Sequence, residues 1–218
     1  MSTVFFRNGG PALRVGKILC VGRNYPEHAR EMNADIPGVP VVFLKPPSAI
    51  VQSGGAVIIP PISHEVHHEV EMVVVIGKHG KNIPRSSAYD HVAGYAVGLD
   101  MTLRDIQSEA KRSGLPWTVA KGFDTSAPVS SVVEKNAVRD PHALSLSLKV
   151  NNRICQHAST ASMLFKVDDL IAYMSSVFTL EAGDLLFTGT PEGVGPVVAG
   201  DELRADLGSL AQLHVRVE

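Results

Sequence analysis

The sequence predicts an α+β fold rich in β-structure: a mixed β-roll or barrel-like sandwich with flanking helices. Two observations carry this. Eight short apolar runs are separated by turn residues drawn from 19 glycines and 14 prolines. Three stretches of helical period fall among them without the regular strand and helix alternation that a doubly wound parallel sheet requires.

The predicted strands are residues 17–22, 41–44, 56–59, 70–76, 94–99, 144–150, 184–188 and 213–217. Ser53-Gly54-Gly55, Asn151-Asn152 and Leu207-Gly208-Ser209 mark turns between them. The first predicted helix, 26–32, opens on Pro26, whose fixed φ suits a helix start. The second, 103–112, stops before Gly114, and Thr102 is a candidate cap. The third, 163–178, aligns Leu164, Val167, Leu170, Ile171 and Met174 on one face.

With 218 residues and 44% hydrophobic content, the chain suits one core-bearing catalytic domain, placed at 17–218 behind an amino-terminal segment at 1–16. Twenty basic and 22 acidic side chains are interspersed, which argues against a nucleic-acid partner. Nowhere do about 18 apolar residues run together, and no cleavage pattern follows Met1, so no membrane partner and no export are expected. Cys20 and Cys155 lack the spacing of a zinc site or disulfide framework, and a reducing compartment follows. The expected location is the cytoplasm, or the mitochondrial matrix for a eukaryotic chain. Cys20, inside an apolar run, reads as core.

The strongest chemical signal is His67-His68-Glu69-Val70-Glu71, where two carboxylates enter a strand that becomes wholly apolar. Residues two apart on a strand share a face, so Glu69 and Glu71 project side by side. Such a pair at a core edge needs a cation or strong donors, and the residues alone also permit a solvated face or a pairing with Arg or Lys. Asp100 ends the next apolar strand and reads either as a third acid of the group or as a helix-start acid facing the dipole. Together Glu69, Glu71 and Asp100 offer three hard oxygen donors without cysteine, a set that favours Mg²⁺ or Mn²⁺ over zinc. His67 and His68 read as neutral core or supporting histidines rather than ligands.

Three further segments accompany the acids. A short helical turn at Pro26 puts His28 and Glu31 three residues apart on one face, either as a surface ion pair or as a water-activating dyad. Lys121 stands among apolar and small residues in what reads as a strand, either reaching solvent from an edge or, desolvated, binding a carboxylate. The strand at 184–188 runs into a glycine-rich loop, Gly189 to Gly195, whose amides can approach a carboxylate and whose spacing is not that of a nucleotide-binding loop.

These segments, in this order, resemble the fumarylacetoacetate hydrolase superfamily, closest to its short acylpyruvase and oxaloacetate decarboxylase or tautomerase members. The motifs are Asn24-Tyr25 with His28 and Glu31, His68-Glu69-Val70-Glu71, Leu99-Asp100-Met101-Thr102 with Arg104-Asp105, the Lys121 segment, and Gly189-Thr190-Pro191-Glu192-Gly193-Val194-Gly195. The resemblance implies a homodimer, Mg²⁺ or Mn²⁺ on Glu69, Glu71 and Asp100, and a small 2-oxo acid substrate. It implies His28, Glu31 and Lys121 as catalytic residues and Arg23, Arg104, Gln107 and Thr190 as substrate contacts. The implied reactions are hydrolysis of acylpyruvates and decarboxylation or tautomerisation of oxaloacetate. An isomerase, hydratase or decarboxylase of aromatic-catabolism 2-oxo acids and a fumarylpyruvate hydrolase are the alternatives. A metal-binding protein without turnover, and a structural protein whose acids pair internally, are the readings from other classes.

Overall fold

The computed structural model describes residues 2–10 and 12–218. Met1 and Pro11, both in the predicted amino-terminal segment, lie outside the described residues.

A large sheet forms the centre, with strands ordered Val41–Lys45, Ile18–Gly22, Leu185–Phe187, Val70–Ile76, Val92–Leu99, Ala127–Val129 and Ile50–Gln52. Val133–Glu134 adds to one side of Val92–Leu99. A five-stranded sheet runs Arg153–Ser159, Ser145–Val150, Glu202–Leu207, Ala211–Val217 and Ala56–Val57. A smaller sheet, Thr102–Leu103 with Val66–His68 and Gly195–Val197, brings the ends of the central strands together. Parallel and antiparallel pairings mix in both larger sheets, and strands dominate the fold, as the sequence predicts.

The central strand Val70–Ile76 is buried throughout because both of its faces are covered. Met72, Val74 and Ile76 point into a large core shared with Leu146, Leu148, Leu203, Leu213 and the apolar face of the last helix. Val73 and Val75 point the other way, into a smaller core with Ile18, Cys20, Ala96, Leu185 and Phe187. By the same alternation Glu71 lies on the face of Val73 and Val75, at the end of the smaller core. Cys20 is a core residue, its thiol pushed well up by burial and then by the negative charge of Asp100.

Among the described residues four α-helices flank the sheets: α1 (Pro26–Glu31), α2 (Arg104–Arg112), α3 (Thr118–Lys121) and α4 (Val167–Val177). Three departures from the sequence expectation have physical causes. Lys121 ends a single helical turn, not a strand; Lys121 N–H donates to the Trp117 carbonyl at 2.9 Å and Gly122 N–H to that of Thr118 at 2.8 Å. One turn is too short for a helical period to show in sequence. The third helix begins at Val167 rather than 163 because Asn24 takes up the chain before it. Leu164 N–H donates to the Asn24 carbonyl and Phe165 N–H to Asn24 Oδ1, at 2.8 and 2.7 Å. Thr102 does not cap α2: Leu103 stands at that position, and the Thr102 hydroxyl donates to the Asp100 carbonyl.

The strands Arg153–Ser159 and Glu202–Leu207 join the predicted ones. Asn151 and Asn152, both at positive φ, turn the chain between Val150 and Arg153. Among the described residues no helix is long and apolar enough to cross a membrane.

Asn24, wholly buried, also donates Nδ2 to the Thr188 carbonyl at 2.7 Å and so ties the entrance of α1 to the glycine-rich loop and to α4. Asn24→Ala strands several buried backbone groups; urea denaturation is expected to show a loss of at least about 2 kcal/mol.

Candidate functional site

Antiparallel pairing of Val70–Ile76 with Val92–Leu99 builds the site. Val70 stands opposite Leu99 and Glu71 opposite Gly98, and Asp100 N–H continues the ladder to the Glu69 carbonyl at 2.8 Å. Asp100 is therefore the cross-strand neighbour of Glu69, with Glu71 two residues along. Glu69, Glu71 and Asp100 are 5%, 1% and 1% exposed, and each offers a carboxylate oxygen within 4.8 Å of the others. The three acids read from the sequence thus converge.

Three buried cations answer them. Lys121 Nζ donates to Glu69 Oε2 at 2.8 Å, to Asp100 Oδ2 at 2.7 Å and to Thr102 Oγ1 at 2.6 Å. Arg104 donates to Glu69 Oε1 and, at 2.6 Å, to Gln107 Oε1. Lys45, which sequence reasoning missed, lies 2.8 Å from Asp100 Oδ1 and donates to the Met101 and Lys121 carbonyls. Its signal was a lysine closing an apolar strand immediately before Pro46-Pro47.

The electrostatics divide the acids. Burial opposes ionisation of Glu69, yet the Lys121 and Arg104 charges hold its carboxyl far below the usual range. Glu71 has no such partner: burial and then repulsion from Asp100 and Glu69 push it well up, against one N–H from Gly189 at 2.7 Å. Burial would depress Lys121, but Asp100 and Glu69 outweigh it and raise its pKa. Asp100 Oδ1 accepts no hydrogen bond among the described residues, because the nearby Lys45 ammonium approaches outside hydrogen-bonding geometry.

This donor set fits a divalent cation. Two oxygens on one Mg²⁺ stand at most about 4 Å apart, so side-chain adjustments under about 1 Å bring the three to one ion. The unsatisfied Asp100 oxygen and the repelled Glu71 are the groups such a charge would relieve.

The acids floor a cavity of about 310 Å³ whose walls include Arg23, His28, Arg104, Gln107, Lys111, Trp117, Lys121 and Thr190. Every site residue read from the sequence lines it except Glu31, which stands behind His28. Glu31 Oε2 lies 3.2 Å from His28 Nδ1, and Glu31 Oε1 accepts Gly193 N–H at 3.0 Å. A carboxylate at this distance suits the tautomer with its proton on Nδ1.

His67 and His68 are not part of the acid group. Burial lowers both pKa values, Arg104 adding to the effect at His67. His68 Nδ1 lies 3.1 Å from Gln156 Oε1, which also accepts Val70 N–H, while Gln156 Nε2 donates to Thr190 Oγ1 at 2.9 Å. Gln156 thereby fixes Thr190 against the strand that carries the acids. It was missed because a glutamine in a largely exposed strand has no distinguishing pattern.

A strand-rich α+β fold whose carboxylate triad, lysine and histidine line one cavity defines a class. The fumarylacetoacetate hydrolase C-terminal family matches residues 17–218, and the chain belongs to that family. It is 48% identical to the mitochondrial oxaloacetate tautomerase FAHD1 of Mus musculus over 201 residues, covering 92% of this chain and 91% of that relative. It is 51% identical to the protein of the same name in Arabidopsis thaliana over 202 residues, covering 93% and 91%. Among solved structures it is similar to a fumarylpyruvate hydrolase of Pseudomonas aeruginosa in complex with Mn²⁺ and pyruvate. The TM-score is 0.94 and the identity 39%, with 99% of this chain and 94% of that one covered.

Gly189 sits at φ 96°, where a Cβ would come 2.6 Å from Asn24 Cβ and 3.2 Å from the Val21 carbonyl. Gly189→Ala is expected to cost at least about 1–2 kcal/mol, read as a lowered melting temperature.

Proposed function

We propose that the protein is a divalent-metal-dependent enzyme of small 2-oxo acids. It interconverts the keto and enol forms of oxaloacetate and hydrolyses acylpyruvates to pyruvate and a carboxylic acid. The observation that carries this is the convergence of Glu69, Glu71 and Asp100 on the floor of the cavity whose wall holds His28, with Glu31 at its Nδ1. The names of the relatives support the same chemistry.

Glu69, Glu71 and Asp100 would hold Mg²⁺ or Mn²⁺. When bound, the ion supplies Lewis-acid polarisation of the 2-oxo oxygen. Charge balance favours this substrate class. Fully ionised, the three acids offset Lys45, Lys121 and Arg104, so a divalent ion leaves two positive charges for an anionic 2-oxo acid to meet.

Lys121 and Arg104 stabilise the negative charge that develops on the substrate. Gln107, Thr190 and Arg23 orient its polar groups. His28, the one imidazole among the described residues of the cavity wall, moves the proton. In tautomerisation the proton is exchanged at C3. In acylpyruvate cleavage His28 deprotonates a water that attacks the C4 carbonyl; the C3–C4 bond breaks, its electron pair goes to C3, and a proton returns there to give pyruvate. Glu31 stabilises the imidazolium in both.

The test is turnover of oxaloacetate and acetylpyruvate with Mg²⁺ or Mn²⁺ and with chelator. Metal-dependent turnover of at least one substrate is expected, and its absence on both overturns the reading. His28→Ala should lower acetylpyruvate hydrolysis by about 10²- to 10⁴-fold, while decarboxylation of oxaloacetate, which needs no attacking water, persists. Unchanged hydrolysis would remove His28 from the mechanism.

Saturating metal should stabilise the wild-type chain, by about 2.7 kcal/mol at a hundredfold excess over Kd. Glu71→Gln should lose most of that gain in a thermal melt.

A further inference from the structure

The cavity carries a positive charge, Lys111, to which the proposed chemistry gives no role. Arg104, Gln107 and Lys111 all line the cavity from α2, at spacings of three and four residues that put them in a row along one helix face. Arg104 is committed to Glu69 and Gln107. Lys111 stands about 10 Å further along the helix axis. It has no hydrogen bond and no acidic partner among the described residues.

Lys111 Nζ instead rests 5.3 Å from the centroid of the Trp117 ring, and that ring packs edge-on against Phe43, with centroids 5.9 Å apart. The lysine is held in place without being neutralised. Arg23, at φ 59° on the same cavity, is also without a carboxylate among the described residues, where its guanidinium reaches the Asp35 carbonyl at 3.4 Å. Burial, followed by repulsion from Arg104 and Lys121, lowers the Lys111 pKa, while attraction to Glu69 opposes the shift.

We propose that Lys111, propped on Trp117 and acting with Arg23, is a second anion subsite that takes the terminal carboxylate of an extended 2-oxo acid. This rests on the reading that the acid cluster holds the 2-oxo end. The length of the row selects the substrate. On this proposal the substrate is a seven-carbon 2,4-dioxo diacid such as fumarylpyruvate, whose terminal carboxylate stands three carbons beyond the C4 carbonyl. Oxaloacetate, whose second carboxylate adjoins the reacting carbon, is too short, and acetylpyruvate has no terminal carboxylate.

The test is binding and turnover by the Mg²⁺-loaded protein. Calorimetry with 2-oxoheptanedioate and 2-oxoheptanoate, which lack the C4 carbonyl and cannot be cleaved, isolates the terminal carboxylate. The wild type should prefer the diacid by about 10-fold or more; Lys111→Met should erase the preference and Lys111→Arg restore it. Lys111→Met should likewise raise KM for fumarylpyruvate about 10-fold, with kcat and the constants for acetylpyruvate and oxaloacetate unchanged. Equal losses on all substrates, or an undiminished preference for the diacid, overturn the subsite. Failure of the wild type to bind either acid or turn over any substrate instead sinks the 2-oxo acid reading, and the subsite falls with it.

Discussion

Three carboxylates are buried at the end of a hydrophobic core, and the local architecture answers to that constraint. An ionised carboxylate without compensation is very costly in such surroundings. Compensation arrives from separate parts of the chain: Lys45 from an edge strand, Lys121 from the single turn of α3, Arg104 from the start of α2, and Gly189 from the loop after the Leu185–Phe187 strand. The charges are nearly balanced overall but unevenly distributed. Glu69 is held by two cations, whereas Glu71 meets chiefly like charge. That imbalance gives the cluster the character of a cation site rather than of a closed ion-pair network.

The polar residues around the cluster hold strands and loops in register. Asn24 and Gln156 are both buried side chains that bond to backbone from distant segments. Each joins the glycine-rich loop to another element, Asn24 to the entrance of α1 and Gln156 to the strand that carries Glu71. The cavity wall is therefore braced from behind, and side chains on a short helix and a loop gain positions that such elements do not hold alone.

Much of this was legible in the residues. The acids announced themselves because carboxylates two apart at the mouth of an apolar strand conflict with burial, and the conflict called for a metal or for Arg or Lys partners. The strand Val70–Ile76 was legible because burial on both faces leaves a continuous apolar run. What escaped was long-range: Lys45 meets Asp100 across 54 intervening positions, and the lysine that closes Phe43-Leu44-Lys45 does not by itself name that partner. The strand Arg153–Ser159 escaped because exposed residues, including Ile154, blur its alternation. The late start of α4 depended on Asn24, far upstream.

The glycine-rich loop is pinned at two points, Gly189 N–H on Glu71 and Gly193 N–H on Glu31. It therefore acts as a tie rod between the carboxylate floor of the cavity and the short helix that carries His28 and Glu31. The spacing of four residues between the two amides couples the position of Glu71 to that of Glu31. Insertions or deletions in it would shift both carboxylates at once, so neither can be repositioned through this loop without disturbing the other.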